Sequence, residues 1–346
     1  MKIASFYAAE DLRCEDSPLP EISEDEILLH TKVCGLCGTD VSKIVREKVA
    51  PSTVLGHEVA GDIAEVGKGV HGFQKGDRVV VSHHAPCYRC GYCRHGNYSQ
   101  CPVFRKMNIA PGGFAEYVRV LREGVRNSTF RIPDAVSYEE AVFTEPLACC
   151  LRAIERTSIM AGDRVMVVGA GVVGLLHLQL ALIHGASYVA VSDLNDFRLA
   201  FASKLGATEV INPLKRDPLQ VIKKVDGADI VVVAVGKASV LQETLKYADR
   251  GGKILFFAEC EQESILQLDP NLVYHSEITL LGSYSSTPAE QQTALDLITR
   301  GRIKVKDLIT HRFPLENLTG AVDLALKQED CLKILIEPAI GSRGHS

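Results

Sequence analysis

The sequence predicts an α/β protein of two domains, a β-rich domain followed by a doubly wound parallel sheet with helices on its faces. Three observations carry that expectation. The chain has 346 residues, a length that ordinarily divides into two domains. Its rhythm changes near Pro146, from short strands with glycine punctuation to apolar strands alternating with helical patterns, and such alternation implies a parallel sheet. A glycine-rich turn joins the first of those later strands to a long helical pattern.

In the first part, strands are expected at 26–33, 62–66 and 77–81, punctuated by Gly61, Gly67, Gly69, Gly72 and Gly76, which reads as an all-β region. After Pro146, strands are expected at 164–168, 188–192, 230–235, 253–257 and 278–281, with a long helix after Gly171 and another over 195–205. That makes about six strands, the size of a nucleotide-binding sheet. A helix over 290–300 and an apolar strand over 332–336 read as the chain returning to its first domain. The expected boundaries are 1–147, 148–284 and 285–346.

Composition excludes several classes of function. Hydrophobic residues make up 46% and charged residues 23%, the balance of an ordinary globular protein. A formal charge of -5, with no stripe of Lys and Arg interleaved with aromatics, leaves nucleic acid without a footprint. The longest apolar stretch, 165–182, is interrupted by glycines, His177 and Gln179, and falls short of the roughly 18 apolar residues a membrane span needs. Met1 to Phe6 runs into Glu10 and Asp11 without the apolar core of a leader, so a cytoplasmic location is expected. The eleven cysteines are an odd number in a long chain, and four fall within fifteen residues, which favours metal binding over disulfides.

Gly169-Ala170-Gly171-Val172-Val173-Gly174 follows the apolar strand and opens the helix. At such a junction the free amides and positive end of a helix receive a dinucleotide pyrophosphate. The next strand ends in Asp193, where a carboxylate accepts hydrogen bonds from an adenosine ribose and repels a 2'-phosphate, so NAD is expected rather than NADP. Arg198 either stacks on the adenine or helps to accept a 2'-phosphate, which leaves dual use open.

Cys87, Cys90, Cys93 and Cys101 have the short spacings that let four thiolates converge on a zinc ion; with all four positions taken by protein, such an ion is structural. His83, His84 and His95 read as strand-end or loop residues rather than ligands. A second set is spread more widely: Cys37, followed by Gly38-Thr39-Asp40; His57 and Glu58 within Gly56-His57-Glu58-Val59-Ala60-Gly61; and Glu145 within Thr144-Glu145-Pro146. Cys, His and Glu are zinc ligands, and three of them with one exchangeable position make a catalytic site. Cys34 reads as a core residue.

The order of these motifs resembles that of the zinc-dependent medium-chain dehydrogenases over nearly the whole chain. It is closest to the polyol branch, which includes sorbitol, threonine and butanediol dehydrogenases, because Glu145 stands where the classical alcohol dehydrogenases carry a second cysteine. The resemblance implies a GroES-like domain, a Rossmann domain, an active site in the cleft between them, two zinc ions per chain and a homodimer or homotetramer, with the edge strand near 278–281 pairing across subunits. It implies that Cys37 and His57 hold the catalytic zinc, with Glu58 as third ligand or close neighbour and Glu145 on the metal or its water. Thr39 would carry the substrate proton while hydride passes to nicotinamide. Two departures stand out. Ser42 occupies the position of a relay histidine, and the segment 102–111 is short. Ser285, Ser286, Phe104 and Arg105 are candidates for the substrate pocket. The expected activity is oxidation of a secondary hydroxyl in a polyol or similar small alcohol. The alternatives are a primary alcohol or aldehyde reductase, a threonine-type amino alcohol dehydrogenase and, from another class, a zinc-free quinone-reductase-like or NAD-sensing protein.

Overall fold

A computed structural model describes residues 1–327 and 330–338; the end of the expected third segment, 339–346, lies outside the described residues. The chain divides into two compact units, Met1–Pro146 with the described part of Ser286–Ser346, and Leu147–Ser285.

The second unit is built on a six-stranded parallel sheet, ordered Glu209–Ile211, Tyr188–Ser192, Arg164–Val168, Ala228–Val233, Ala248–Phe256, Thr279–Gly282. The two central strands are apolar throughout because helices cover both faces, and Val165, Met166, Val167, Val231 and Val232 have no exposed surface. The chain order steps outward in one direction through the first three strands and then reverses, placing the switch point beside Arg164–Val168, where open α/β sheets bind ligands. The expected doubly wound sheet is therefore present. Its sixth strand, Glu209–Ile211, is a three-residue piece that periodicity did not isolate. Asn195 caps the helix Asp196–Lys204, its side chain accepting from the amides of Phe197 and Arg198.

The first unit holds a seven-stranded sheet in which Ile309–Pro314, Lys333–Glu337, Ile27–Leu36, Glu58–Val66, Arg78–Val81 and Thr129–Arg131 follow one another, with Tyr117–Val120 also paired to Ile27–Leu36. A smaller sheet joins Asp11–Asp16, Lys2–Ala8 and Thr53–Val54. The two surround one core that includes Ile27, Leu29, Ile63, Val79, Phe114 and Ile336. The expectation of an all-β region is corrected here: the unit is β-rich, but it carries the helix Gly38–Val45 and the shorter helices Pro102–Lys106, Arg122–Asn127 and Tyr138–Ala141. The first forms because Cys37 and Asp40 make a reciprocal cap at its start. The strand expected at 62–66 begins at Glu58, so the metal motif lies within a strand. The late strand Lys333–Glu337 pairs antiparallel with Ile27–Leu36, which returns the C-terminal segment to this unit.

Candidate active site and cofactor site

Cys37 follows the strand Ile27–Leu36 and is the N-cap of Gly38–Val45. Its sulfur accepts from the Thr39 amide at 3.5 Å, and its own amide donates to Asp40 Oδ2 at 3.2 Å. Asp40 is fully buried. Its Oδ1 accepts from the Gly56 amide at 3.3 Å and lies 3.2 Å from His57 Nδ1. Burial works against ionisation of Asp40, but His57 and the Cys37 amide outweigh it and hold the carboxyl below its usual range. Burial likewise disfavours the His57 imidazolium, yet Asp40 and then Cys37 raise its pKa well above the ordinary value. A carboxylate that fixes Nδ1 leaves the other ring nitrogen for a metal, the arrangement that orients metal-bound histidines.

Glu58 opens the strand Glu58–Val66, is 1% exposed and forms an ion pair with Lys333. Ligand atoms of Cys37, His57 and Glu58 all lie within 4.8 Å of one another. One thiolate, one imidazole and one carboxylate fit zinc, with a position left for substrate. Glu145 is buried near the start of the helix Thr144–Arg156 and is not among those three converging ligands; it lies within electrostatic reach of Lys333. Burial opposes the Lys333 ammonium, but Glu58, Cys37 and Glu145 together raise its pKa. Thr39 is exposed and Ser42 half-buried on Gly38–Val45.

Behind His57 runs a column of rings. His83 lies 4.8 Å from His57, His84 3.7 Å from His83, and Phe104 4.5 Å from His84, centroid to centroid. Burial lowers the pKa of His83 well below the ordinary value and that of His84 to about 4, so both rings are neutral near pH 7. His84 Nδ1 is bonded to the Met107 carbonyl at 2.9 Å, which makes it the donor in that bond. Phe104 has no exposed surface and packs with Cys93 and Cys101, so it belongs to the core of the cysteine lobe rather than to a pocket wall. Ser286 is likewise buried, its hydroxyl accepting from Gln291 Nε2 at 2.8 Å.

The sulfur atoms of Cys87, Cys90, Cys93 and Cys101 form a second group within 4.8 Å. The Cys87 amide donates to Cys101 Sγ at 3.4 Å, and Cys90 and Cys93 sulfurs lie 3.5 Å apart. The backbone amide of Arg89 lowers the pKa of Cys87, which favours the thiolate that binds metal. Four converging sulfurs fit a closed structural zinc. His95 is the C-cap of the short helix Gly91–Arg94 and lies outside the sulfur group, while Cys34 is buried in the core.

In the second unit, Gly169, Ala170 and Gly171 join Arg164–Val168 to the helix Val172–Ile183. No side chain caps that helix, so the amides of Val172, Val173 and Gly174 face the turn as an anion site. A Cβ on Gly174 would lie 1.8 Å from the Gly169 carbonyl oxygen, which explains why the close turn requires glycine there. Asp193 Oδ2 accepts from the Ala170 amide at 2.7 Å and Oδ1 from the Asn195 amide at 2.8 Å, so the carboxylate sits against the turn. Arg198 Nε is buried and has no hydrogen-bond partner among the described residues.

Two residues were not assigned roles from sequence. Asp40 was visible beside Cys37, but its contact with His57 depends on the fold. Lys333 carried a signal: it is a lone cation in Leu332-Lys333-Ile334-Leu335-Ile336, and a charged residue within a buried strand calls for a partner.

Residues 23–134 match the alcohol dehydrogenase GroES-like domain, and residues 172–300 match the zinc-binding dehydrogenase family. The chain is 33% identical to sorbitol dehydrogenase of Bacillus subtilis (strain 168), over 98% of this chain and 97% of that one. Galactitol-1-phosphate dehydrogenase from Escherichia coli superposes with a TM-score of 0.86 at 29% identity, covering 98% of this chain and 100% of that one. A zinc-binding dehydrogenase from Sinorhizobium meliloti 1021, bound to NADP, gives a TM-score of 0.88 at 29% identity, with 97% and 99% covered. No helix among the described residues is long and apolar enough to cross a membrane. The two domain matches, the near full-length likeness and the six-stranded parallel sheet lead to one conclusion: the chain belongs to the zinc-binding alcohol dehydrogenase family, oxidoreductases that join a GroES-like domain to a Rossmann-type sheet.

Proposed function

We propose that the chain transfers hydride between NAD and a secondary hydroxyl of a polyol, sugar alcohol or related small alcohol, running ketone reduction in the reverse direction. The observation that carries this reading is the convergence of Cys37, His57 and Glu58 within 4.8 Å, with Glu145 rather than a second cysteine at the start of Thr144–Arg156. Cys37, His57 and Glu58 hold the catalytic zinc, Glu145 stands by it, and Cys87, Cys90, Cys93 and Cys101 hold a structural zinc. Bound zinc supplies Lewis acidity toward a substrate oxygen, and the nicotinamide supplies a hydride acceptor.

The chain's own residues do the rest. Asp40 fixes the ring of His57 from behind. The exposed Thr39 hydroxyl takes the substrate proton, and Ser42, which is no base near neutral pH, leaves that proton to solvent rather than to a side-chain relay. The amides at the start of Val172–Ile183 receive the pyrophosphate, and Asp193 takes the adenosine ribose, which favours NAD. Arg198 accompanies the adenine. The outer edge of Thr279–Gly282 has no partner strand among the described residues, and we assign subunit pairing to it. Free cysteines throughout the described chain agree with the reducing cytoplasm.

The test is NADH absorbance when zinc-replete protein meets NAD and a panel of polyols, phosphorylated polyols, amino alcohols, and primary and secondary alcohols. Turnover on a secondary hydroxyl that disappears in Glu145→Ala supports the reading. Turnover confined to primary alcohols overturns the substrate class.

A further inference from the structure

Lys333 is the first residue of the strand Lys333–Glu337 and is 3% exposed. That strand flanks Ile27–Leu36, which in turn flanks Glu58–Val66, and Gly35 stands opposite Leu335 on one side and Glu58 on the other. A Cβ on Gly35 would fall 1.9 Å from Glu58 Oε2 and 2.9 Å from Lys333 Cε. The missing side chain is therefore the gap through which the ammonium crosses the intervening strand to the carboxylate. The resulting ion pair is buried on both sides. Among the described residues neither oxygen of Glu58 has a hydrogen-bond partner, so this ammonium is its charge balance. The ring of Phe143 lies 5.7 Å from the same ammonium.

We propose that Lys333 is the resident counter-cation of the Cys37, His57 and Glu58 ligand set, an inference that rests on reading those three as metal ligands. A carboxylate buried without a partner is costly. Lys333 balances Glu58 when no divalent ion is bound, and competes electrostatically with that ion when one is. With Cys37 as thiolate, Glu58 and Asp40 as carboxylates, His57 neutral and a divalent cation bound, Lys333 brings those groups to neutrality. Without it they keep one uncompensated negative charge. Two consequences follow. The ligand strands keep their fold in the metal-free protein, and the ion is held less tightly than a set lacking the lysine would hold it.

The test uses full-length protein with zinc as the probe, comparing wild type, Lys333→Met and Lys333→Arg in chelator competition and in thermal unfolding with and without zinc. The zinc equivalent that Cys37→Ser loses identifies the site to follow. Lys333→Met is expected to bind that zinc roughly tenfold more tightly or better, a factor worth about 1.4 kcal/mol, and to lose more Tm in the metal-free than in the loaded protein. Lys333→Arg tracks wild type. Should Lys333→Met fail to fold without metal, the double variant Glu58→Gln/Lys333→Met, which removes both charges, is expected to recover the metal-free fold. Zinc affinity that is unchanged or weaker in Lys333→Met, or a double variant no more stable without metal than the single one, overturns the proposal. A wild type that holds only the zinc of the cysteine lobe overturns the ligand-set reading beneath it.

Discussion

His177 offers a test of the physics inside the second unit. It lies on the helix Val172–Ile183, where every residue from Gly174 to Ala181 is buried. Its ring has no exposed surface, neither nitrogen has a hydrogen-bond partner among the described residues, and the ring meets Phe257 edge-on at 4.7 Å. Burial alone lowers its pKa from 6.5 to about 3. The folded state therefore holds the ring neutral, while the unfolded chain takes up a proton as soon as pH falls through 6.5. The stability associated with the neutral ring is fully present above pH 6.5 and is lost as pH falls toward 3, at up to about 1.4 kcal/mol per unit. Between pH 8 and pH 5 the loss comes to about 2 kcal/mol, or roughly 4–8 °C in Tm for a unit of this size. Replacing His177 with Leu forfeits a ring contact worth about 0.5–1.5 kcal/mol, but removes two unpaired nitrogens whose burial costs about 1–3 kcal/mol. At pH 8 the two effects nearly offset, so the readout is the slope. Calorimetry or chemical denaturation at several pH values should show His177→Leu losing about 2 kcal/mol less than wild type between pH 8 and 5. Equal losses in both proteins would refute the reasoning, because every other titrating group is shared.

Other expectations are more local. Gly174→Ala drives a methyl into the Gly169 carbonyl oxygen; it should cost about 1–3 kcal/mol of stability and abolish saturable NAD binding in a fluorescence titration while leaving zinc content unchanged. Asp40→Asn removes the negative charge facing His57 Nδ1 and should weaken zinc at the Cys37, His57 and Glu58 set by about 10–100-fold, read by chelator competition, with the cysteine-lobe zinc retained. Cys90→Ser should lower the zinc count by one equivalent in elemental analysis, since it takes one of four converging sulfurs; retention of both equivalents would contradict a structural site there.

What the sequence disclosed was largely what is local. The turn from Gly169 to Gly174 was legible because its glycine requirement arises within six residues, where a carbonyl approaches too closely for any side chain. The cysteine lobe was legible for the same reason, its four sulfurs converging from one short segment. The helix Gly38–Val45 was overlooked because it interrupts a run of strands and owes its start to the side chains of Cys37 and Asp40 rather than to apolar periodicity. The strand Glu209–Ile211 was too short to show alternation. The link between Glu58 and Lys333 could not be read at all, since it joins distant parts of the chain through the pairing of three strands across Gly35. Phe104 misled for a related reason: its place in the cysteine lobe depends on how that lobe closes on itself.

The most direct measurement is NADH formation from a polyol or secondary alcohol that the protein accepts, followed as the zinc equivalent at Cys37, His57 and Glu58 is withdrawn by a chelator and then restored. The account predicts that turnover falls in proportion to that equivalent, returns when zinc is restored, and is absent in Cys37→Ser although NAD still binds. Turnover that persists after the equivalent has gone, or in Cys37→Ser, would contradict it.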